Sequence, residues 1–217
     1  MTPNKEDYLK CIYEIGTHEK KITNKEIAQL MQVSPPAVTE MIKKLLAEGL
    51  LLRDKKKGYL LTVLGLKLTS DLYRKHRLIE VFLVNHLGYT TDEIHEEAEV
   101  LEHTVSDRFV ERLDQMLNYP QSCPHGGTIP KKGEALEEHY QTTLTQLSAP
   151  CRCQLVRVHD DFQLLQYLEQ QTLKIGDTIY FTAHDPFAQI YQIEHEGERI
   201  QLSAKIAKQL FVEKLED

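Results

Sequence analysis

Between Thr23 and Gly49 the chain carries two helix starts and one helix stop at a spacing that few folds accept. Thr23-Asn24-Lys25-Glu26 has the pattern of a capping box, in which the threonine hydroxyl and the glutamate carboxylate each satisfy an orphan backbone N–H, and it opens a helix through IAQLM. Further on, Ser34-Pro35 offers an N-cap followed by a proline where a missing N–H costs nothing. The apolar periodicity of AVTEMIKKLLAEGL then carries a second helix as far as Gly49. Two short helices joined by a tight turn predict a helix-turn-helix. The segment after it, LLRDKKKGYLLT, is two apolar stretches around a basic turn with Gly58, which reads as a β-hairpin wing.

Charge supports a polyanion partner for this part alone. The formal net charge is −7, but residues 1–75 hold 14 Lys and Arg against 9 Asp and Glu, a balance of +5, while the other 142 hold 12 against 24, a balance of −12. A length of 217 residues, 41% of them hydrophobic and 27% charged, predicts one to three small globular domains. No apolar run approaches the ~20 residues that cross a bilayer, and MTPNKEDYLK lacks a signal-peptide core, so a cytoplasmic protein without a membrane partner is expected. Cys11, Cys123, Cys151 and Cys153 are too few and too uneven for a disulfide framework and are expected as thiols.

The second constraining stretch is IHEEAEVLEHTV, residues 94–105. At about 100° per residue, Ile94, Ala98, Leu101 and Val105 fall within roughly 60° of arc and predict a buried stripe. His95, Glu99, Glu102 and His103 are expected beside it, with Glu97 and Thr104 turned to solvent. Carboxylates crowded at the edge of a core repel and lose hydration unless a cation or a set of donors compensates them, and a divalent metal is the simplest compensator. An acidic helix alone is in most proteins a solvated face. His76 and Glu80, one turn apart, are by themselves more often a surface pair than a ligand pair.

The remaining elements are read coarsely. A first helix is expected over roughly 3–17, with Tyr8, Cys11, Ile12 and Ile15 on one face and Asp7 at its edge. A long amphipathic helix runs from Val63 to about Leu87, the acidic helix from about 92 to 104, and SDRFVERLDQML makes another. PQSCPHGGTIPKKGE is a loop, and LEEHYQTTLTQL a short helix or irregular linker. Past Pro150, CQLVRVH, LKIGDTIYFTAH, AQIYQIEHEGERIQL and KIAKQLFVEKL alternate as strands around a short helical DDFQLLQYLEQQ, predicting a small β-barrel of about 65 residues.

No enzyme is expected. His95-Glu96-Glu97-Ala98-Glu99 fails HExxH at its last position, Glu99-Val100-Leu101-Glu102-His103 fails HxxEH at its first, and phosphate loops, GxSxG and nucleotide fingerprints are missing. A winged-helix sensor of an organic ligand, with the polar cluster as a salt-bridge network, is the alternative from a different class.

The order helix-turn-helix, wing, KHRLIE, IHEEAEVLEH and small barrel resembles the iron- and manganese-dependent repressors typified by the diphtheria toxin repressor, most of all the three-domain manganese-responsive regulators of streptococci. The resemblance implies a mainly α fold with a small β domain. It places a winged helix-turn-helix DNA-binding domain at 1–73, a helical dimerisation and metal-binding domain with its linker at 74–147, and an SH3-like, FeoA-like β-barrel at 151–217. It implies a homodimeric Mn2+-dependent transcriptional repressor of metal-uptake genes, binding double-stranded DNA at an inverted repeat, with Fe2+, Zn2+ or Cd2+ as other occupants. An iron- or zinc-responsive regulator of the same fold is the nearer alternative.

Family positions carry over one at a time. Glu99, Glu102 and His103 match the main metal cluster, and Asp7 matches the ligand from the first helix. The iron-responsive members have cysteine at the position of Glu99 and methionine at that of Asp7, so this chain offers a harder, oxygen-rich set that suits manganese. Glu80, Cys123, His125 and Asp160 are the second set, with Asp161 nearly equivalent to Asp160, and with His76 and His95 close by. For DNA, the tip of the second helix places Ser34, Pro35, Pro36, Ala37, Val38 and Thr39 at base edges, followed by Glu40. These lack long bidentate donors, so affinity is expected from phosphate contacts by Lys43, Lys44, Arg53, Lys55, Lys56 and Lys57.

Overall fold

The computed structural model describes residues 1–17, 21–91 and 93–216. These divide into two compact units, Met1–His76 with Pro130–Glu137, and Arg77–Ile129 with Glu138–Asp217, whose final residue lies outside the described set.

The first unit contains α1 (Pro3–Thr17), α2 (Asn24–Leu30), α3 (Pro35–Ala47), β1 (Leu51–Asp54) and β2 (Gly58–Leu61), and α4 (Val63–Leu87) begins in it. Its caps are those the sequence encodes. Glu26 N–H donates to Thr23 Oγ1 at 3.3 Å while Thr23 N–H donates to the Glu26 carboxylate at 3.0 Å, and Ala37 N–H donates to Ser34 Oγ at 3.4 Å. Past the end of α3, Gly49 turns the chain at φ +69, a left-handed conformation in which a Cβ is strained. Tyr8, Leu9, Ile12 and Ile15 of α1 pack with Ile27, Val38, Ile42 and Leu45 into one core. β1 and β2 pair antiparallel from Leu51 opposite Leu61 to Asp54 opposite Gly58. Gly58, at φ +85, has no room for a side chain, since a Cβ there would lie 2.0 Å from the Ile22 carbonyl oxygen. That closeness lets the residue-22 backbone stitch the wing, with Ile22 N–H donating to Lys57 O and Tyr59 N–H to Ile22 O.

The second unit holds the end of α4, then α5 (Ile94–Glu102), α6 (Asp107–Met116), β3 (Cys151–Val158), α7 (Phe162–Gln170), β4 (Thr178–Asp185), β5 (Ile190–His195), β6 (Glu198–Ser203), α8 (Ala204–Ala207) and β7 (Leu210–Lys214). One core gathers Leu78, Ile79, Leu83, Ile94, Ala98, Val110 and Leu113 from its helices. A second fills the β part, where β6-β5-β4-β3-β7 form a five-stranded antiparallel sheet and the last strand returns to pair with β3.

Three details differ from the sequence reading. α5 ends at Glu102 rather than 104, and its expected start at 92 lies outside the described residues. LKIGD is a turn, because the Asp177 carboxylate accepts the Lys174 N–H at 2.7 Å, and the strand begins only at Thr178. The start of KIAKQLFVEKL is a helical turn, capped by Ser203 Oγ accepting from Ile206 N–H. Of the two readings open for LEEHYQTTLTQL, the irregular linker is the one found, with a single 3-10 turn at Leu144–Gln146. All four cysteines are free and buried. No helix among the described residues is long and apolar enough to cross a membrane.

Candidate metal centre and nucleic-acid surface

Four segments of the second unit converge on one buried cluster. α4 supplies Glu80, α5 supplies His95, the loop after α6 supplies Cys123 and His125, and the residue two beyond β3 is Asp160. His125 Nδ1 lies 3.2 Å from Glu80 Oε1 and 3.1 Å from Asp160 Oδ1, while its Nε2 donates to the Thr91 carbonyl at 2.8 Å. Ligand atoms of Glu80, Cys123 and His125 all fall within 4.8 Å of one another. Asp160 rather than Asp161 faces this cluster, since Asp161 caps α7 by accepting the Leu164 N–H at 2.9 Å. His76, one turn before Glu80 on α4, is fully buried.

Burial alone would push the His125 imidazole down, yet the Glu80 and Asp160 carboxylates hold it well above its ordinary value. Burial, with Glu80 adding to it, pushes the Cys123 thiol up. The cluster thus sets two carboxylates against one imidazole, and a divalent cation could be held by the same acceptors. A carboxylate, thiol and imidazole set fits zinc-like ions as well as harder ones.

His95 reaches two ways, with Nδ1 3.0 Å from Asp160 Oδ1 and Nε2 3.4 Å from Glu99 Oε1. The acids of α5 do not share one environment. Glu102 is 2% exposed, an unusual position for a carboxylate, and His103 Nε2 lies 3.5 Å from its Oε1. Glu99 has a side chain 51% exposed. Helix geometry explains the split: Glu102 is about 80° from Ile94 and Glu99 about 140°. Glu97 is half-buried rather than solvent-facing, because it borders the stripe on its other flank. Asp7 is half-buried on α1, in the first unit.

On the first unit, Ser34, Pro35, Pro36, Ala37 and Glu40 are exposed at the start of α3. Val38, expected at base edges, is instead fully buried, because it shares a stripe with Ile42 and Leu45. Thr39 is half-buried, and its hydroxyl donates to Pro35 O at 3.0 Å and accepts from Asn24 Nδ2 at 2.9 Å. Asn24 had no signal of its own, being an inner residue of the capping box. Lys44, Arg53, Lys55, Lys56 and Lys57 are exposed, and Lys43 is exposed beside Glu40. The wing turn is preformed, with Asp54 Oδ1 accepting N–H groups from Lys56 at 2.7 Å and Lys57 at 2.6 Å. The Lys57 bond, then that of Lys56, holds the Asp54 carboxyl below its ordinary range.

A winged helix-turn-helix in one chain with a buried carboxylate–histidine cluster defines a metal-regulated DNA-binding transcription factor. The chain belongs to the iron-dependent repressor family, whose N-terminal DNA binding domain matches residues 1–59 and whose metal binding and dimerisation domain matches residues 62–131. An FeoA domain matches residues 142–214, so the expected winged-helix, helical and C-terminal β parts are all present. The crystal structure of ScaR with bound Cd2+ is 69% identical, covers 97% of this chain and 99% of that one, and superposes with a TM-score of 0.93. The manganese regulator SloR is 61% identical over 99% of this chain and 100% of its own, with a TM-score of 0.91. The diphtheria toxin repressor of Corynebacterium diphtheriae is 24% identical across 97% of this chain and 96% of its length.

Proposed function

We propose that this protein is a manganese-activated transcriptional repressor that binds duplex DNA as a homodimer and controls metal-ion uptake genes in the cytoplasm. The observation that carries the reading is the buried, acid-rich cluster in a chain that also bears a winged helix. Its likeness to ScaR, described as a manganese-activated repressor, and to SloR supports the choice of metal.

Asp7, Glu99, Glu102 and His103 are the primary ligands in this reading, and the lack of sulfur among them favours manganese. Glu80, Cys123, His125 and Asp160 form a secondary set, with His76 and His95 beside it, open to Fe2+, Zn2+ or Cd2+. Bound Mn2+ supplies positive charge where Asp7, Glu99 and Glu102 would otherwise repel. Asp7 then ties α1, and the reading head built on it, to the helix of the other three ligands. The two heads of the dimer adopt a spacing that matches an inverted-repeat operator. The domain boundaries that go with this are 1–73, 74–147 and 151–217.

A zinc-responsive regulator is the second reading, favoured by the Cys123–His125 pair. Mobility shifts on a duplex library with Mn2+, Fe2+ or Zn2+ decide between them. Manganese is expected to activate binding to one inverted repeat; equal binding in chelator would sink metal activation altogether.

A further inference from the structure

The segments that supply most of the buried cluster are tied together a second time, by a carboxylate that is not part of it. Glu138 accepts from Arg77 Nη2 at 2.6 Å and lies 3.4 Å from Arg157 Nη1, and its other oxygen accepts the Thr128 N–H at 2.9 Å. Arg77 also donates to the Thr128 carbonyl, and Thr128 Oγ1 accepts the His139 N–H at 2.9 Å. Arg77 stands three residues before Glu80 on α4, Thr128 three after His125, and Arg157 three before Asp160. Each of those three ligand segments thus has one contact with Glu138 within a few residues of its ligand.

The hub leaves little slack. Arg77 and Arg157 are each 8% exposed, and the Arg157 guanidinium lies 3.5 Å from the centroid of the Phe211 ring. Val158 N–H donates to His125 O at 3.0 Å. The loop passes so close that a Cβ on Gly127 would lie 2.7 Å from Arg77 Cζ, and one on Gly126 2.0 Å from Val156 O. Buried ion groups of this kind add little stability over apolar packing of equal volume. What they do impose is direction, because charge-assisted bonds to a planar guanidinium hold only in a narrow geometry. Metal ligands need that kind of outer support.

We propose that Glu138, with Arg77 and Arg157, is a positioning group for the Glu80–Cys123–His125–Asp160 cluster, holding three ligand segments in register so that a divalent cation is accepted without rearrangement. The proposal rests on reading that cluster as a metal site.

The test titrates metal-free full-length protein with Cd2+ alone and follows the cadmium–thiolate absorbance in the ultraviolet. Cys123→Ser identifies the part of the band that belongs to Cys123. Glu138→Gln keeps the shape but turns an amide N–H2 toward a guanidinium. It is expected to weaken the Cys123-dependent Cd2+ affinity at least tenfold, with circular dichroism unchanged. Should that variant not fold, Arg157→Lys, which keeps the charge and loses the fork, carries the same expectation. A hub that only holds the fold would lower the thermal midpoint and leave the Cd2+ isotherm of the folded protein as in wild type, and that outcome overturns the proposal. If wild type itself shows no Cys123-dependent band, the cluster is not a metal site and the proposal falls with it. That failure is seen before any hub variant is compared.

Discussion

Glu40 accepts a hydrogen bond from Lys43 Nζ at 2.9 Å on the exposed face of α3, so the helix meets a polyanion with one lysine already paired. The Lys43 hydrogen bond, then its charge, holds the Glu40 carboxyl below its usual range, so the pair is ionised at neutral pH. Glu40→Gln should therefore strengthen DNA binding in low salt and steepen the slope of log affinity against log salt by roughly one phosphate contact, ~0.9. An unchanged slope means Lys43 stays off the backbone.

The wing makes the opposite prediction. Its turn is fixed by Asp54, and Lys55 and Lys56 are exposed beside it. Lys55→Ala with Lys56→Ala should weaken binding to all sequences alike and flatten the salt slope by about 1.8, at ~0.9 per contact. If the slope is that of wild type, the basic run is a solvated turn.

Thr39 is a case where the structure narrows what the sequence allowed. With its hydroxyl engaged by Pro35 O and Asn24, it has little left for a base. Thr39→Val should cost about 1 kcal/mol of stability and leave operator preference unchanged. Changing the exposed Pro36 should alter that preference. A selection experiment on randomised duplexes reads both, and a new consensus for Thr39→Val would restore it as a reader.

Legibility followed locality. The capping box, the Ser34 cap, the Gly49 stop and the Gly58 hairpin are decided by residues within one turn of each other, and each stands where the pattern put it. The candidate site was legible only through the family resemblance, since by themselves His76 and Glu80 read as a surface pair and a cysteine is ordinarily buried. The distances within the site were not legible, since five residues from four segments meet only through tertiary packing. The same limit hid Val38, whose burial depends on what α1 and α2 place against it, and Glu138, whose partners are 61 and 19 residues away in sequence. The unequal exposure of Glu99 and Glu102 follows from their helical angles, about 140° and 80° from Ile94.

That inequality gives the cleanest test of the primary ligands. Because the Glu99 side chain is half exposed, Glu99→Ala should shift stability by no more than about 0.5 kcal/mol while abolishing manganese-dependent DNA binding. Glu102→Ala would confound the two effects, being buried. Full manganese activation of Glu99→Ala in a mobility shift removes Glu99 from the site. Glu99→Cys should move the response toward iron or cobalt.

Acid should find Glu138. Burial pushes its carboxyl up, but Arg77 and Arg157 outweigh that and hold it below the ordinary carboxylate range. A depressed folded value means that its stabilising contribution is complete above the unfolded value near ~4.3 and is lost as pH falls through the lower folded one. Urea unfolding at several pH values should show wild type losing stability more steeply than Glu138→Gln below about pH 4.3. Parallel curves mean that the carboxylate is not what acid titrates there.

The first unit is not contiguous in the chain, because Pro130–Glu137 belongs to it and Leu136 N–H donates to Ser70 Oγ at 2.7 Å. A ribosome that has finished His76 must add about sixty more residues before that piece exists, roughly 3–12 s at ordinary elongation rates. During that interval the Ser70 hydroxyl, which donates to Leu66 O at 2.9 Å, still lacks the Leu136 N–H that it accepts in the finished unit. A gene fragment cut at the end of the apparent DNA-binding domain would make that waiting state permanent.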